Sequence, residues 1–282
     1  RAQILRAAVG GAFGSSHPIL IELLTLLPEE VGNKRLSVPK QKRAAVNDAL
    51  RASSAAVIDV LRGLVVGTAN GGRRSPLQTP VLRCFRSWVE FGAVPLEGAL
   101  ASGMLAAAVG DVAHPAAAAA SLPSNAQQEA TEAAIAVIAA SVGGATPASP
   151  AKAATGAAAL ALLAALAPLA PLTGPTCTDS EQRRCALLIL TSALEAHLPL
   201  VLGRRVDVAV DAAGANVCAS LWSILASATS ALTSDSDFEI VPTFWTKVSV
   251  ALGPLGRACG SGSAPSPSSG ELYFLYRYML CE

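Results

Sequence analysis

Apolar positions recur at helical spacing from the start of the chain, and this periodicity defines its elements. Ile4, Leu5, Ala8, Val9 and Phe13 predict a helix over residues 1–13. Gly14-Ser15-Ser16-His17 ends it, and Pro18 suits the first turn of the next helix. Residues 19–27 are apolar nearly all round, which predicts a helix buried on most sides that Pro28 ends or kinks. A basic loop with Lys34, Arg35, Lys40, Lys42 and Arg43 leads into a long helix reaching about Val66. Its stripe is Val46, Leu50, Val57, Ile58, Leu61, Leu64 and Val65. A turn over 70–76 precedes a helix over 80–91, whose inward positions are Val81, Leu82, Phe85, Trp88 and Val89. Gly92-Ala93-Val94-Pro95 separates it from a single helix predicted over 97–109.

The middle of the chain changes character. Residues 116–120, 133–140 and 157–172 are Ala-rich, interrupted by Ser124-Asn125, Gly143-Gly144 and Ser149-Pro150. Amphipathic segments return over 180–195, 206–228 and 238–252, and a Gly/Ser/Pro linker over 260–270 precedes an aromatic helix over 272–280. No segment alternates apolar and polar residues as a half-buried strand would. The fold class expected is therefore all-α.

Helices joined by short turns, with successive pairs about 40 residues apart, are the pattern of HEAT-like or armadillo-like repeats. One pair cannot bury its own apolar face, so neighbours stack into an α-α superhelix with a continuous core. On this reading, helical repeats occupy 1–112 and 176–259, flanking Ala/Gly/Pro-rich helices and loops over 113–175. A flexible linker over 260–270 and the start of a further helix over 271–282 complete the chain. Arg1 already lies within a predicted helix, so the chain reads as an interior segment of a longer solenoid.

Composition narrows the function. The chain is 52% hydrophobic but only 4% aromatic, so Ala and Leu supply most of the apolar surface and close helix packing is expected. Twenty-one basic residues against twenty acidic ones leave a net charge of +1, which argues against direct nucleic-acid binding. The six cysteines form no CxxC and lie far from the histidines, so buried reduced thiols fit better than disulfides or a zinc site. Residues 153–172 are apolar enough to raise a membrane span, but Pro168 and Pro171 favour a buried helix with a proline-broken end.

Chemistry-bearing motifs are weak. Ser149-Pro150-Ala151-Lys152 has the Ser-x-x-Lys spacing of acyl-transfer enzymes without their partner motifs, and chance explains it. The glycine clusters lack the Gly-Lys-Ser/Thr ending of a phosphate loop. His17, His114 and His197 stand apart in the sequence. No enzyme, cofactor or metal is expected, and Trp88, Phe91, Phe244 and Trp245 read as packing anchors.

Three segments together resemble the transportin-3/importin-13 branch of the importin-β nuclear transport receptors. They are Pro18-Ile-Leu-Ile-Glu-Leu-Leu-Thr-Leu-Leu-Pro-Glu-Glu-Val31, Val81-Leu-Arg-Cys-Phe-Arg-Ser-Trp-Val-Glu-Phe-Gly92 and Phe238-Glu-Ile-Val-Pro-Thr-Phe-Trp-Thr-Lys-Val248. The resemblance covers 18–112 and 237–252, and marks Leu27, Pro28, Glu29, Glu30, Trp88, Phe91, Phe244 and Trp245 as signature packing positions. It implies a receptor that binds protein cargo, arginine-serine-rich splicing factors among them in the transportin-3 members. It also implies Ran-GTP regulation, mostly through regions outside this chain, contact with nucleoporins, and shuttling between cytoplasm and nucleus. No nucleic acid or membrane partner is implied, and no contact residue is carried over. A generic HEAT/armadillo scaffold, such as a regulatory subunit or trafficking adaptor, is the other reading of the same pattern.

Overall fold

The computed structural model describes residues 17–33, 39–66, 77–114, 125–143, 151–174, 176–201, 216–224, 240–241, 243–248 and 250. The helices predicted over 1–13 and 272–280, the turn over 70–76, the linker over 260–270, Lys34 and Arg35, and the Ser149-Pro150 step lie outside them. Among the described residues every regular element is helical and none is a strand. The chain is all-α, a HEAT-like helical solenoid. It divides into a large unit, Arg1–Val241, and a small one, Pro242–Glu282.

In the large unit the helices are α1 (His17–Gly32), α2 (Lys40–Val66), α3 (Gln78–Glu90), α4 (Leu96–Ala101), α5 (Met104–Ala113), α6 (Ala126–Gly143) and α7 (Ala151–Ala165). A 3₁₀ segment (Ala167–Thr173), α8 (Ser180–Ala196) and α9 (Leu198–Val201) follow, and residues 216–224 are again helical. Alternate helices stack: α1 packs on α3, α3 on α6, and α6 on α8. A second row lies alongside, with α2 against α1 and α3, and α5 against α6, α8 and the 3₁₀ segment. Helices of the stacked row begin at 17, 78, 126 and 180, wider than the roughly 40-residue period expected from sequence. The length of α2 accounts for the widest interval.

The core follows the predicted stripes in α3, where Val81, Leu82, Phe85, Trp88 and Val89 are all buried. The end of α3 is fixed by its sequence. Gly92 adopts φ +73°, its N–H donates to the Val89 carbonyl at 2.9 Å, and the Ala93 N–H donates to the Trp88 carbonyl at 3.2 Å. This paired closure uses the left-handed conformation that glycine tolerates best.

Four expectations need correction. Of the two outcomes expected at Pro28, an end or a kink, the end does not occur: α1 continues to Gly32 with Pro28 inside it. That helix is not buried on most sides either, since Ile19, Leu23, Leu26 and Leu27 are exposed. Val46 is exposed because the first turns of α2, residues 40–49, contain no buried position, whereas Leu50, Val57, Ile58, Leu61 and Leu64 do pack inward. The single helix expected over 97–109 is two, α4 and α5, broken at Ser102-Gly103. Gly103 takes φ +75° there, and the Ser102 hydroxyl donates to the Ala99 carbonyl while accepting from the Met104 N–H.

The Ala-rich stretch packs through alanines together with a few aliphatic side chains. Ala130, Ala133, Ala134 and Val137 of α6 are fully or nearly fully buried, as are Ala159, Leu162 and Leu163 of α7. Among the described residues no single helix is long and apolar enough to cross a membrane. Residues Gly156–Ala165 and Ala167–Thr173 reach that length and composition only as a pair bent by 45°.

Candidate functional site

Several polar side chains buried between helices bond to a neighbouring helix's backbone carbonyl, and others to a side chain across the seam. The clearest case joins α1 to α3. Pro28 has no N–H, so the Leu24 carbonyl, four residues earlier, lacks its usual intrahelical donor. The Trp88 indole Nε1–H donates to that oxygen at 2.9 Å. One residue away, the Ser87 hydroxyl donates to the Thr25 carbonyl at 3.1 Å, and the Thr25 hydroxyl donates back to the Ile21 carbonyl at 2.8 Å. Trp88 is among the largest fully buried side chains, so the same residue fills the seam and closes the gap that proline opens.

A second fastening joins α5 to α8. The last carbonyls of a helix have no intrahelical partner. Here the buried Gln182 amide donates to both the Val112 and Ala113 carbonyls, at 2.9 and 3.0 Å. Gln182 is held in the first turn of α8, where the Asp179 carboxylate accepts from the Glu181 and Gln182 N–H groups at 3.0 and 3.1 Å. The Gln78 amide, at the start of α3, donates to the buried Asp111 carboxylate of α5 at 2.5 Å. At the half-buried boundary of α3 and α6, Arg86 pairs with Glu129 at 3.3 Å and with Glu132.

A third fastening brings together two residues that the sequence keeps far apart. The Ser141 Oγ of α6 lies 2.7 Å from the His197 Nε2 at the end of α8, and both residues are buried. A serine beside a histidine invites a nucleophile reading, but the proton count opposes it. The Ile138 carbonyl, 2.5 Å from the Ser141 Oγ, gives the hydroxyl proton an acceptor other than the imidazole, and in that arrangement the Ser141 oxygen is left to accept from the His197 N–H tautomer. A general base needs the reverse arrangement. The pair ties α6 to α8.

The signature positions are dispersed. Pro28 is buried, Leu27 is 46% exposed, and Glu29 and Glu30 are exposed on the last turn of α1. Phe91 is half-buried at the end of α3, its ring close to Gly32 at the end of α1. Phe244 and Trp245 lie in the small unit, ring centroids 5.4 Å apart and edge to face, with Phe244 buried and Trp245 half-buried. Of the eight, the structure links Pro28 to Trp88 through the Leu24 carbonyl, and Phe244 to Trp245 by ring contact. Sequence reasoning missed Leu24, Gln182, Ser141 and His197 as partners. The one local signal was a proline inside an apolar helix, which implies an orphaned carbonyl four residues before it.

The charged and reactive groups add no chemistry. Lys40 and Lys42 are exposed and Arg43 half-buried on the first turns of α2. The four described cysteines, Cys84, Cys177, Cys185 and Cys218, are buried free thiols. Burial pushes Cys84 up to about 12, helped by the nearby Glu22 and Glu29 carboxylates and opposed by a hydrogen bond with Thr25. Burial likewise raises Cys185 and Cys218. A thiol held neutral is neither a nucleophile nor a metal ligand. Among the described residues no group of three or more His, Cys, Asp or Glu side chains could hold a metal ion.

Helices stacked α1 on α3, α3 on α6 and α6 on α8, with side-chain bonds across the seams, are the arrangement of a helical-repeat fold. Residues 11–121, which include α1 to α5, match the family described as exportin 1-like protein. The match spans less than half of the chain. No curated protein matches the chain.

Proposed function

We propose that this chain is part of a nuclear transport receptor of the transportin-3/importin-13 branch. In this reading it binds protein cargo on a helical solenoid for Ran-GTP-regulated import, and shuttles between cytoplasm and nucleus. The observation that carries the reading is the exportin 1-like match over 11–121, which contains both the Leu27-Pro28-Glu29-Glu30 and Trp88 signatures. The hydrogen bond between Trp88 and Leu24 supports a packing role for those signatures, since it spends their polar capacity inside the scaffold. Phe244-Trp245 supports the same branch from outside the matched span. Residues 113–175 then serve as an Ala-rich expansion of the helical framework, between repeat regions over 1–112 and 176–259.

Recognition by such a scaffold works through shape and extended surface. Ran-GTP binds mainly through regions outside this chain, cargo such as arginine-serine-rich splicing factors binds the solenoid, and nucleoporins touch its outer helices. A pull-down with the full-length gene product tests this. Immobilised Ran loaded with GTP should retain the protein, Ran loaded with GDP should not, and Ran-GTP should displace bound cargo. Equal retention on both nucleotides, or none, would overturn the reading in favour of a generic HEAT/armadillo adaptor.

A further inference from the structure

Two exposed helix faces of opposite charge follow one another along the chain. On α1, Ile21, Leu24, Thr25 and Pro28 are buried, and α3 packs against that side. By the helical period, Ile19, Leu23, Leu26, Leu27 and Glu30 share the opposite face, with Glu22 and Glu29 along one edge. The four aliphatic residues are 65%, 57%, 38% and 46% exposed, the three glutamates are exposed, and α1 contains no Lys or Arg. On α2, residues 40–49 contain no buried position, whereas the stripe packs inward from Leu50 onward. Val46 and Arg43 continue that stripe without burial, flanked by Lys40 and Lys42. With Val46 at 42%, the two faces hold five of the seven exposed large hydrophobic side chains among the described residues.

Neither set of charges serves its own helix. Glu29 and Glu30 occupy the last turn of α1, and Lys40, Lys42 and Arg43 the first turn of α2. Those are the ends at which the helix dipole disfavours each sign. Among the described residues, Glu22, Glu29, Glu30, Lys40 and Lys42 form no ion pair within the chain.

We propose that the occupant of both faces is a second copy of this chain. In a two-fold dimer the acid-rimmed stripe of α1 in one copy meets the basic first turns of α2 in the other, and the symmetry repeats the contact. Val46 then packs on the aliphatic stripe, and three carboxylates face three cations. Charge complementarity selects this occupant. A partner for α1 must be apolar and basic, a partner for α2 apolar and acidic, and one chain supplies both. The association holds whether or not the protein transports anything.

Charge exchange in the full chain tests the dimer. One variant carries Glu29→Lys and Glu30→Lys, the other Lys40→Glu and Lys42→Glu. All four positions are exposed and each change suits the helix dipole, so both variants should keep their fold. Sedimentation velocity over a range of protein concentrations reads the self-association. The unaltered chain should dimerise, and each variant alone should do so with a Kd at least about tenfold higher. An equimolar mixture of the two variants should recover the dimer, because both contacts regain opposite charges. An unaltered chain that stays monomeric, or that assembles beyond a dimer, would overturn the proposal and leave the faces to another occupant. So would variants that dimerise as the unaltered chain does, or a mixture as monomeric as its components.

Discussion

The seam between α1 and α3 and the Ala-rich helix α6 are built from opposite materials. In α3 the buried apolar face includes Val81, Leu82, Phe85, Trp88 and Val89; in α6 it includes Ala130, Ala133, Ala134, Ala136, Val137 and Ile138. Large side chains remove much apolar area from water and hold their neighbours at a distance, whereas alanines bury little area and let helix backbones approach closely. The difference teaches which perturbation each region resists. The α1–α3 seam should be sensitive to removal of atoms, and α6 to their addition.

The largest effect is expected at Trp88. Trp88→Ala empties the seam and strands the Leu24 carbonyl, and should cost about 3–5 kcal/mol, measured as a shift of the urea unfolding midpoint at constant slope. In α6 the converse change applies. Ala134→Leu inserts three carbons at a position with no exposed surface and should cost about 1–3 kcal/mol by overpacking. A neutral or stabilising outcome would mean that α6 is loosely packed, and would dissolve the contrast.

A different kind of seam is held by Gln182, whose amide closes the end of α5 from α8. Gln182→Leu keeps the volume and removes both donors, and should cost about 1–3 kcal/mol. Native-state hydrogen exchange should show faster opening at the end of α5 than at α3.

The smallest effect is expected at Cys84. Its folded value of about 12 exceeds the ordinary thiol value of 9.0, so folding favours the neutral thiol. Stability from this group is complete below about pH 9 and is lost as pH rises toward 12, because the unfolded chain releases the proton first. A disulfide reagent at pH 8 should therefore label Cys84 only through unfolding, and Cys84→Ser should flatten the alkaline limb of the stability profile. Rapid labelling of Cys84 in the folded protein would contradict the burial.

Much of the fold was legible in the sequence because helical periodicity is local. The stripe of α3, the glycine closure at Gly92 and the start of α8 at Ser180 follow from residues within a turn or two of one another. What was not legible depends on partners far along the chain. Pro28 reads as a helix end until Trp88, 64 residues along the chain from Leu24, supplies the bond that proline withholds. The apolar character of residues 19–27 reads as burial on most sides, because periodicity counts faces without saying what covers them. The break at Gly103 was missed because an isolated glycine in an apolar run gives no sign of its backbone angle. His197 and Ser141 were invisible as a pair for the same reason of distance. In the small unit, the Phe244-Trp245 contact lies between adjacent residues, which is why the sequence could anticipate an aromatic anchor there.

Pro28 and Trp88 act as one unit, a helix defect and the side chain that completes it. A double-mutant cycle with Pro28→Ala and Trp88→Phe measures this directly. Alanine restores an N–H at position 28 for the Leu24 carbonyl, so losing the indole donor should then matter less. Trp88→Phe is predicted to destabilise the protein that keeps Pro28 by at least about 1 kcal/mol more than it destabilises the Pro28→Ala variant. Additive effects, equal within about 0.3–0.5 kcal/mol, would contradict the coupling and reduce Trp88 to a space-filling residue.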